Sequence, residues 1–345
     1  MRRLILLSTG MLAVALAQAQ QRSHYSQYIL NNYILNPALS GIENYVDVKV
    51  SARDQWIGLR GAPKTFYFTA HGALGKKDYK SSATSYAVPG ENPRGNAYWE
   101  TYQASEPHHG IGMAIINDKT GNFNHFSATA SYAYHLGLSP RTNLSAGFAA
   151  GITTIGLNAD GKAFFGDDPS DPAIGGTVAK ELQRVKPDLS FGLWLYSANY
   201  FVGLAGQQII PQKLNYVNNT TFKQTGKLVP HIFFTAGYRF LINEDINAIP
   251  SVMFKYINGG FVNNYQAELN VKMQYRDLVW LGGSYRQFDG YAAMLGVNVA
   301  NTFNVGYSYD FTKTDINTYI RGTHELVLGF LIGNRYGDTC PRNVW

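Results

Sequence analysis

The side chains that most often bind metals or carry out catalysis are sparsely arranged in this sequence. It contains eight His and a single Cys. His108 and His109 are neighbours, and neighbouring residues of a strand point to opposite faces, which makes them a poor metal-binding pair. No H-x-x-x-H or C-x-x-C spacing is present to bind zinc, and no G-x-S-x-G motif is present to supply a nucleophile. We therefore expect no metal, no other cofactor and no enzymatic activity.

Two further features allow a chemical interpretation, and each has a simpler one. Asp167, Asp168 and Asp171 resemble a fragment of a calcium-binding loop, but the Gly and terminal Glu of an EF-hand are missing. An acidic surface loop is the simpler interpretation. Cys340 has no second Cys with which to form an internal disulfide. It could pair with a partner protein, whereas burial near the end of the chain is the simpler expectation.

The elements that would position such side chains are strands of alternating polarity. From Tyr265 to Arg276, apolar or aromatic residues alternate strictly with polar or charged ones. In a strand these two sets point to opposite faces, which suits a barrel with lipid outside and a wet lumen inside. A soluble antiparallel sheet can show the same alternation. The number and length of the strands therefore decide between the two.

The composition favours the membrane barrel. Charged residues make up 15% of the chain, against about 25% in an average soluble domain, and aromatic residues make up 14%. We predict an all-β fold, a transmembrane antiparallel β-barrel of about 14 strands, over residues 46–333. The predicted strands are 46–57, 63–74, 109–117, 122–136, 142–157, 187–197, 199–206, 229–241, 248–256, 264–276, 278–287, 291–300, 302–311 and 323–333.

The chain ends are expected to lie outside these strands. Residues 1–19 have the charged start, apolar core and A-x-A site of a signal peptide. Residues 20–45 are predicted to form a periplasmic or lumen segment with a short amphipathic helix at or inside the periplasmic mouth. The helix is expected to end before Asn36-Pro37, because the residue before proline disfavours helix. An unordered tail is the alternative. Residues 334–345 form a C-terminal tail.

Charged side chains on the inward faces of the predicted strands are the candidate lumen or rim residues. They either pair with one another and hold the barrel shape or contact a substrate. Pairing is the simpler expectation because uncompensated charge in a confined lumen is costly. Trp56, Trp194, Trp280 and Tyr285 are expected in the aromatic girdles at the membrane interfaces. The inward candidates are Arg53, Arg239, Glu268, Lys272, Arg276, Arg286, Asp310 and Glu325.

Three connections are long: 75–108, 158–186 and 207–228. With the N-terminus in the periplasm, the second and third are extracellular, as the long loops of bacterial barrels are. The first then lies on the side where turns are usually short, and its role stays open. Aromatic side chains of the two extracellular loops are the candidate partner-binding residues: Phe164, Phe165, Tyr216 and Phe222.

Short motifs follow one another in a specific order along the whole predicted mature chain. Ser26, Gln27, Tyr28, Asn36 and Pro37 form the N-terminal part of this set. Later members are Gln55-Trp56, Ala62-Pro63-Lys64-Thr65, Asn117-Asp118-Lys119, Gly237-Tyr238-Arg239-Phe240, Leu281-Gly282-Gly283-Ser284-Tyr285-Arg286 and Gly322-Thr323-His324-Glu325-Leu326. Each motif is weak alone, but the ordered set is similar to the PorP/SprF family of type IX secretion system membrane proteins. The 75–108 connection looks longer than the usual turn of that family.

The resemblance implies a barrel in the bacterial outer membrane that serves type IX secretion without a cofactor or reaction. Implied partners are other secretion components and a large adhesin-type surface protein, recognised through its C-terminal domain for export or attachment, and in some members gliding motility is involved. No basic run indicates nucleic-acid binding. The alternative is a passive porin or small-molecule transporter, which requires an open lumen. No motif encodes the secreted partner, the stoichiometry or the loops that bind.

Overall fold

The structure, a computed structural model, describes residues 25–76, 100, 102–157, 184–214, 226–257, 264–276, 278–299 and 302–334. These residues form β-strands joined by turns, with a few 3-10 turns. The strands are β1 (Val46–Asp54), β2 (Lys64–Leu74), β3 (His108–Thr120), β4 (Phe123–Ser139), β5 (Thr142–Leu157), β6 (Arg184–Tyr196), β7 (Tyr200–Gln207), β8 (Gln212–Leu214), β9 (Gly226–Leu228), β10 (His231–Tyr238), β11 (Phe240–Asn243), β12 (Ile246–Ile257), β13 (Tyr265–Tyr275), β14 (Val279–Arg286), β15 (Gly290–Val299), β16 (Phe303–Thr312) and β17 (Thr323–Ile332).

One continuous antiparallel sheet contains every strand except β8 and β9, which form a separate hairpin. The pairing of β1 with β17 and of β10 with β12 closes this sheet into a barrel. β10 and β11 are two halves of one strand, interrupted at Arg239, because both pair with β12. Counted together they give a closed barrel of 14 strands, which confirms the prediction.

Strand boundaries differ from the predicted ones in both directions: β1 ends at Asp54 and not at residue 57, whereas other strands extend further because their hydrogen bonding continues past the alternation. β4 was expected to end at residue 136 but continues to Ser139, because its ladder with β5 passes a bulge and runs to the tight turn that precedes Thr142. The β8–β9 hairpin was not predicted either. It lies within the 207–228 connection, where no alternating pattern was recognised.

The barrel wall is polar inside and apolar outside. On β13 the outward Leu269 and Val271 are 52% and 50% exposed, whereas the inward Glu268 and Lys272 are 1% and 2% exposed. A water-soluble protein would show the opposite distribution, with apolar side chains inside and charged ones outside. Apolar side chains that face outward in this way suit lipid, so the alternation in the sequence has the expected consequence.

The barrel has two ends, which we call the near end and the far end. β1 begins and β17 ends at the near end, and β1 ends at the far end. Turns at the near end are tight between β4 and β5, β6 and β7, and β13 and β14. Residues 75–107 also connect strands there. The strand ends that flank 158–183 and 208–230 lie at the far end, as do the turns 55–63 and 313–322.

Residues 25–42 precede β1 and lie inside the barrel. They form three 3-10 turns, Ser26–Ile29, Asn32–Ile34 and Pro37–Leu39, and not the single amphipathic helix that was expected. Asn31 and Asn36 have non-helical backbone angles, and Pro37 restricts the residue before it. No helix in the described part of the chain is long and apolar enough to cross a membrane.

Two of the expected girdle tryptophans face the lumen instead. Trp194 and Trp280 are each 1% exposed. Trp194 stacks on Phe201 with ring centroids 4.9 Å apart, and Lys272 lies over the Trp280 ring at 5.0 Å. Their place in the strand alternation puts them on the inner face, so the girdle assignment was wrong for both. Tyr285, at 44% exposure, does face outward.

Candidate functional site

The lumen segment, residues 25–42, lies in the interior of the barrel and packs against its wall. Every residue of it is buried except Leu30, which is partly buried. It is packed between opposite walls: its first turn contacts β16 and β17, and its third turn contacts β4, β5 and β6. Tyr28 and Ile29 share one apolar cluster with Trp280, while Leu39 shares another with Trp194. The segment therefore bridges the lumen from one side to the other.

A buried network of charges surrounds the start of the lumen segment. The Arg53 guanidinium on β1 lies 2.8 Å from an Asp310 carboxylate oxygen on β16 and 2.9 Å from one of Glu325 on β17. Arg286 on β14 lies 3.0 Å from Glu268 on β13 and 2.7 Å from Asp289. The strand ladders bring these residues to one level near the far end, although they are distant in the sequence.

Ser26 lies at the centre of this network. Its backbone N–H donates to Glu325 at 2.8 Å, and its hydroxyl donates to Asp310. The same hydroxyl accepts hydrogen bonds from Arg53 at 2.8 Å and Arg286 at 3.2 Å. A small hydroxyl with one donor and two lone pairs is suited to this position. The charges thus hold the lumen segment as well as one another.

The next residues use amide and phenol groups to bind the wall. The Gln27 side chain donates to the backbone oxygens of Glu325 at 2.7 Å and Gly306 at 3.2 Å. The Tyr28 hydroxyl is bonded by the Asn270 amide. The Asn31 amide donates to the Thr69 hydroxyl at 3.0 Å. These bonds explain physically why the Ser26-Gln27-Tyr28 motif carries polar residues at fully buried positions.

Asn36 and Pro37 fix the middle of the lumen segment on the opposite wall. The Asn36 amide donates to the carbonyl of Leu193 on β6 at 3.0 Å and to that of Leu204 on β7 at 3.3 Å. Its side-chain oxygen accepts from the Ala38 N–H at 3.0 Å, capping the turn that Pro37 begins. Gln207 donates to the carbonyls of residues 34 and 35.

Two histidines hold the exit of the segment at the near end. His108 and His135 are stacked with ring centroids 4.5 Å apart. His108 is bonded to the Gly41 carbonyl at 3.1 Å and His135 to the Ser40 carbonyl at 2.7 Å. The sequence analysis missed this pair. Both residues lie on inward faces of adjacent strands, paired in register, so the strand pairing was the signal that could have found them.

Glycines in the wall leave room for the backbone of the lumen segment. A Cβ on Gly110 would lie 1.8 Å from the Ser40 oxygen, and one on Gly147 would lie 2.7 Å from the Ala38 Cα. A Cβ on Gly192 would lie 1.8 Å from the Asn36 side chain. Real Cβ contacts of this length do not occur, so any side chain would force the segment to move. The wall and the segment are therefore shaped to fit each other.

The remaining predicted charges lie elsewhere. Arg239 is buried at the break between β10 and β11, and Lys272 is buried against Trp280. Arg276 is half-exposed beyond the end of β13, where it pairs with Asp245 at 2.8 Å. The aromatic candidates Phe164, Phe165, Tyr216 and Phe222 lie outside the described residues, as do residues 1–24 and Cys340.

The polar side chains of this site hold the lumen segment on the barrel wall. Arg53, Arg286, Gln207, His108 and His135 of the wall each bond to the lumen segment. Within the described ranges no group of three or more His, Cys, Asp or Glu is arranged to hold a metal ion. Fold and site together define the class: a 14-stranded barrel of the outer-membrane type whose own N-terminal segment occupies the lumen.

Comparison with known sequences gives the family. Residues 17–330 match the family described as "Type IX secretion system membrane protein PorP/SprF". Because this match covers most of the chain, the protein belongs to that family, as the ordered motifs indicated. A search of curated proteins finds no match.

Comparison with solved structures finds matches at low sequence identity. The toluene transporter TodX of Pseudomonas putida is 9% identical, with 91% of this chain and 95% of that chain covered and a TM-score of 0.48. Omp33 of Acinetobacter baumannii is 8% identical, with 85% and 100% covered and a TM-score of 0.45. The CymD monoaromatic hydrocarbon channel is 10% identical, with 88% and 91% covered and a TM-score of 0.46.

Proposed function

We propose that this barrel is a non-enzymatic, closed component of the type IX secretion system. It supports export or surface attachment of a large adhesin-type protein, which it recognises through the C-terminal domain of that protein, and it serves gliding motility in cells that glide. Membership of the secretion family supports the system to which we assign the barrel. In this proposal the near end, which has three tight turns, faces the periplasm, and the far end, which has two of the three long connections, faces outward. Short turns of bacterial barrels are periplasmic and long loops are extracellular, so the 75–107 connection is the exception.

The observation that carries the proposal is that residues 25–42 occupy the lumen. Buried residues 25–42 bridge opposite walls, and wall glycines are shaped to receive them. A barrel that acts by binding partners at its ends needs a rigid frame and not an open channel. The lumen segment supplies such a frame, because its hydrogen bonds tie β1, β6, β7, β16 and β17 together. Ion pairs of Arg53 in addition join β1 directly to β16 and β17.

The second candidate, a passive porin or small-molecule channel, fits this geometry less well. A porin lumen is polar and water-filled. Here the inward polar groups of β1, β14, β16 and β17 are occupied by Ser26 and by one another. Transport through the lumen would require the segment to leave, and with it the bonds of Ser26, Gln27 and Asn36.

Deletion of the gene tests the secretion role. We expect the deletion strain to lose surface display of one particular adhesin while its outer-membrane permeability to small dyes stays unchanged. Reintroduction of the intact gene is the matched control. Purification of the tagged barrel from detergent-solubilised membrane, followed by mass spectrometry, should recover that adhesin and other secretion components. Normal adhesin display in the deletion strain would contradict the proposal.

A further inference from the structure

A groove crosses the outer face of the barrel near the far end. It has a volume of about 440 Å³, and its lining includes Ala52 of β1, Phe66 of β2, Leu326 of β17 and Tyr307 of β16. Ala52 is directly opposite Phe66 on one side and Leu326 on the other. Phe66 is 48% exposed and Leu326 is 43% exposed. A small residue between two large ones leaves a depression over Ala52.

The groove opens onto a row of polar side chains at the strand ends. Register places His324, Asp54, Lys64 and Lys119 side by side on β17, β1, β2 and β3. All of them alternate in phase with Ala52, Phe66 and Leu326, so they share the outer face. Directly paired residues have Cβ atoms about 4.5–5.5 Å apart, which brings Lys64 and Lys119 close enough to contact one anionic group.

The charge at this row is available for a ligand. Lys119 is exposed, and Lys64 reaches Asp54 at 3.3 Å with 69% of its own side chain exposed. An ion pair this exposed contributes little and is readily exchanged. His324 is held by the Tyr307 hydroxyl at 2.6 Å. The loops 55–63 and 313–322, joined by hydrogen bonds between Ile57 and residues 321 and 322, lie beyond this row.

The face below the groove is apolar over the depth of a membrane leaflet. Outward residues of β1 continue from Ala52 through Val50 and Val48 to Val46, and β2 and β17 flank them with further apolar residues. Six residues of strand span about 20 Å. Half of a bilayer hydrocarbon core is about 15 Å. An extended acyl chain can therefore lie along β1 for its full length while its headgroup meets the lysines.

We propose that this groove binds one lipid with an anionic phosphate headgroup, taken from the leaflet at the far end. The acyl chain lies over Ala52 between Phe66 and Leu326, and the phosphate contacts Lys64 and Lys119. The apolar floor selects a lipid over a free anion, and the cationic rim selects an anionic headgroup over a zwitterionic one. The site does not depend on the role of the barrel in secretion.

Native mass spectrometry of the full chain, released from detergent micelles, tests the site with defined lipids. Phosphatidylglycerol and phosphatidylcholine with identical acyl chains are the probes, and inorganic phosphate is the competitor. We expect the intact protein to retain one phosphatidylglycerol in preference to phosphatidylcholine, unaffected by inorganic phosphate. The Lys64→Gln, Lys119→Gln double variant should bind it about fivefold more weakly, and Ala52→Leu should block the groove and abolish retention.

Matched variants separate the site from general lipid adhesion. Lys313→Gln removes an exposed cation at the same end outside the groove, and Ala130→Leu enlarges an outward small residue on β4. Both should retain phosphatidylglycerol like the intact protein. The heat-dependent mobility shift of folded barrels on gels checks that each variant is folded. Equal retention by all variants, equal retention of the two lipids, or displacement by inorganic phosphate would each overturn the proposal.

Discussion

At the scale of single residues, Arg53 has the most consequential contacts. It bonds Asp310, Glu325 and the hydroxyl of Ser26, so it joins β1 to two other strands and to the lumen segment. Its side chain and both carboxylates are almost fully buried. A buried ion pair adds little net stability, because both charges lose their hydration on burial. Removing one partner is costly, however, because the remaining charge has no water to solvate it.

Replacing Arg53 with Met should therefore destabilise the protein strongly. We expect the free energy of unfolding to fall by about 3–5 kcal/mol, because Asp310 and Glu325 lose their nearest cation. The urea midpoint in detergent, followed by tryptophan fluorescence, measures it. Arg276→Gln is the matched control, since its partner Asp245 is half-exposed and such a pair is worth at most about 1 kcal/mol.

A second substitution distinguishes a buried pair from simple loss of packing. Adding Glu325→Gln to Arg53→Met removes one of the two stranded carboxylates, so the double variant should recover part of the lost stability. The contradicting result is that the two substitutions lower the free energy of unfolding additively and that Arg53→Met lowers it no more than Arg276→Gln does. The charges would then not be coupled in the way that their distances indicate.

At the scale of elements, the fit between the lumen segment and the wall decides the form of the barrel. β5 presents Gly147 where the backbone at Ala38 passes, and β3 presents Gly110 where Ser40 passes. Short 3-10 turns let the segment change direction between these contacts. A regular helix would be too wide and too straight to follow them.

A methyl group at Gly147 tests this fit. Gly147→Ala would place the new Cβ against the backbone at residues 37 and 38, and overpacking of this kind costs about 1–3 kcal/mol. We expect a lower urea midpoint and faster proteolysis within residues 25–42. Gly283→Ala is the control, because nothing lies within 4 Å of that position. Identical behaviour of the two variants would show that the segment is not tightly seated.

The sequence predicted the strands better than it predicted which side chains and which segment occupy the lumen. Alternation such as that of β13 is local, so it revealed the barrel, the strand number and the inward direction of Glu268 and Lys272. The path of residues 25–42 depends on contacts with Glu325 and Leu193, which lie hundreds of positions or many strands away. Trp194 and Trp280 were assigned to the girdles because of their residue type. The face on which each lies is determined instead by its position in the alternation of its strand.

At the scale of the whole molecule, the central claim is that the lumen segment blocks the lumen of the intact barrel. Planar-bilayer conductance tests it most directly, with a variant lacking residues 25–42 beside the intact chain and the gel mobility shift as a check of folding. We expect the intact chain to show no sustained open-channel current, and the shortened chain to conduct steadily. Sustained conductance of the intact chain at the level of the shortened one would contradict the account.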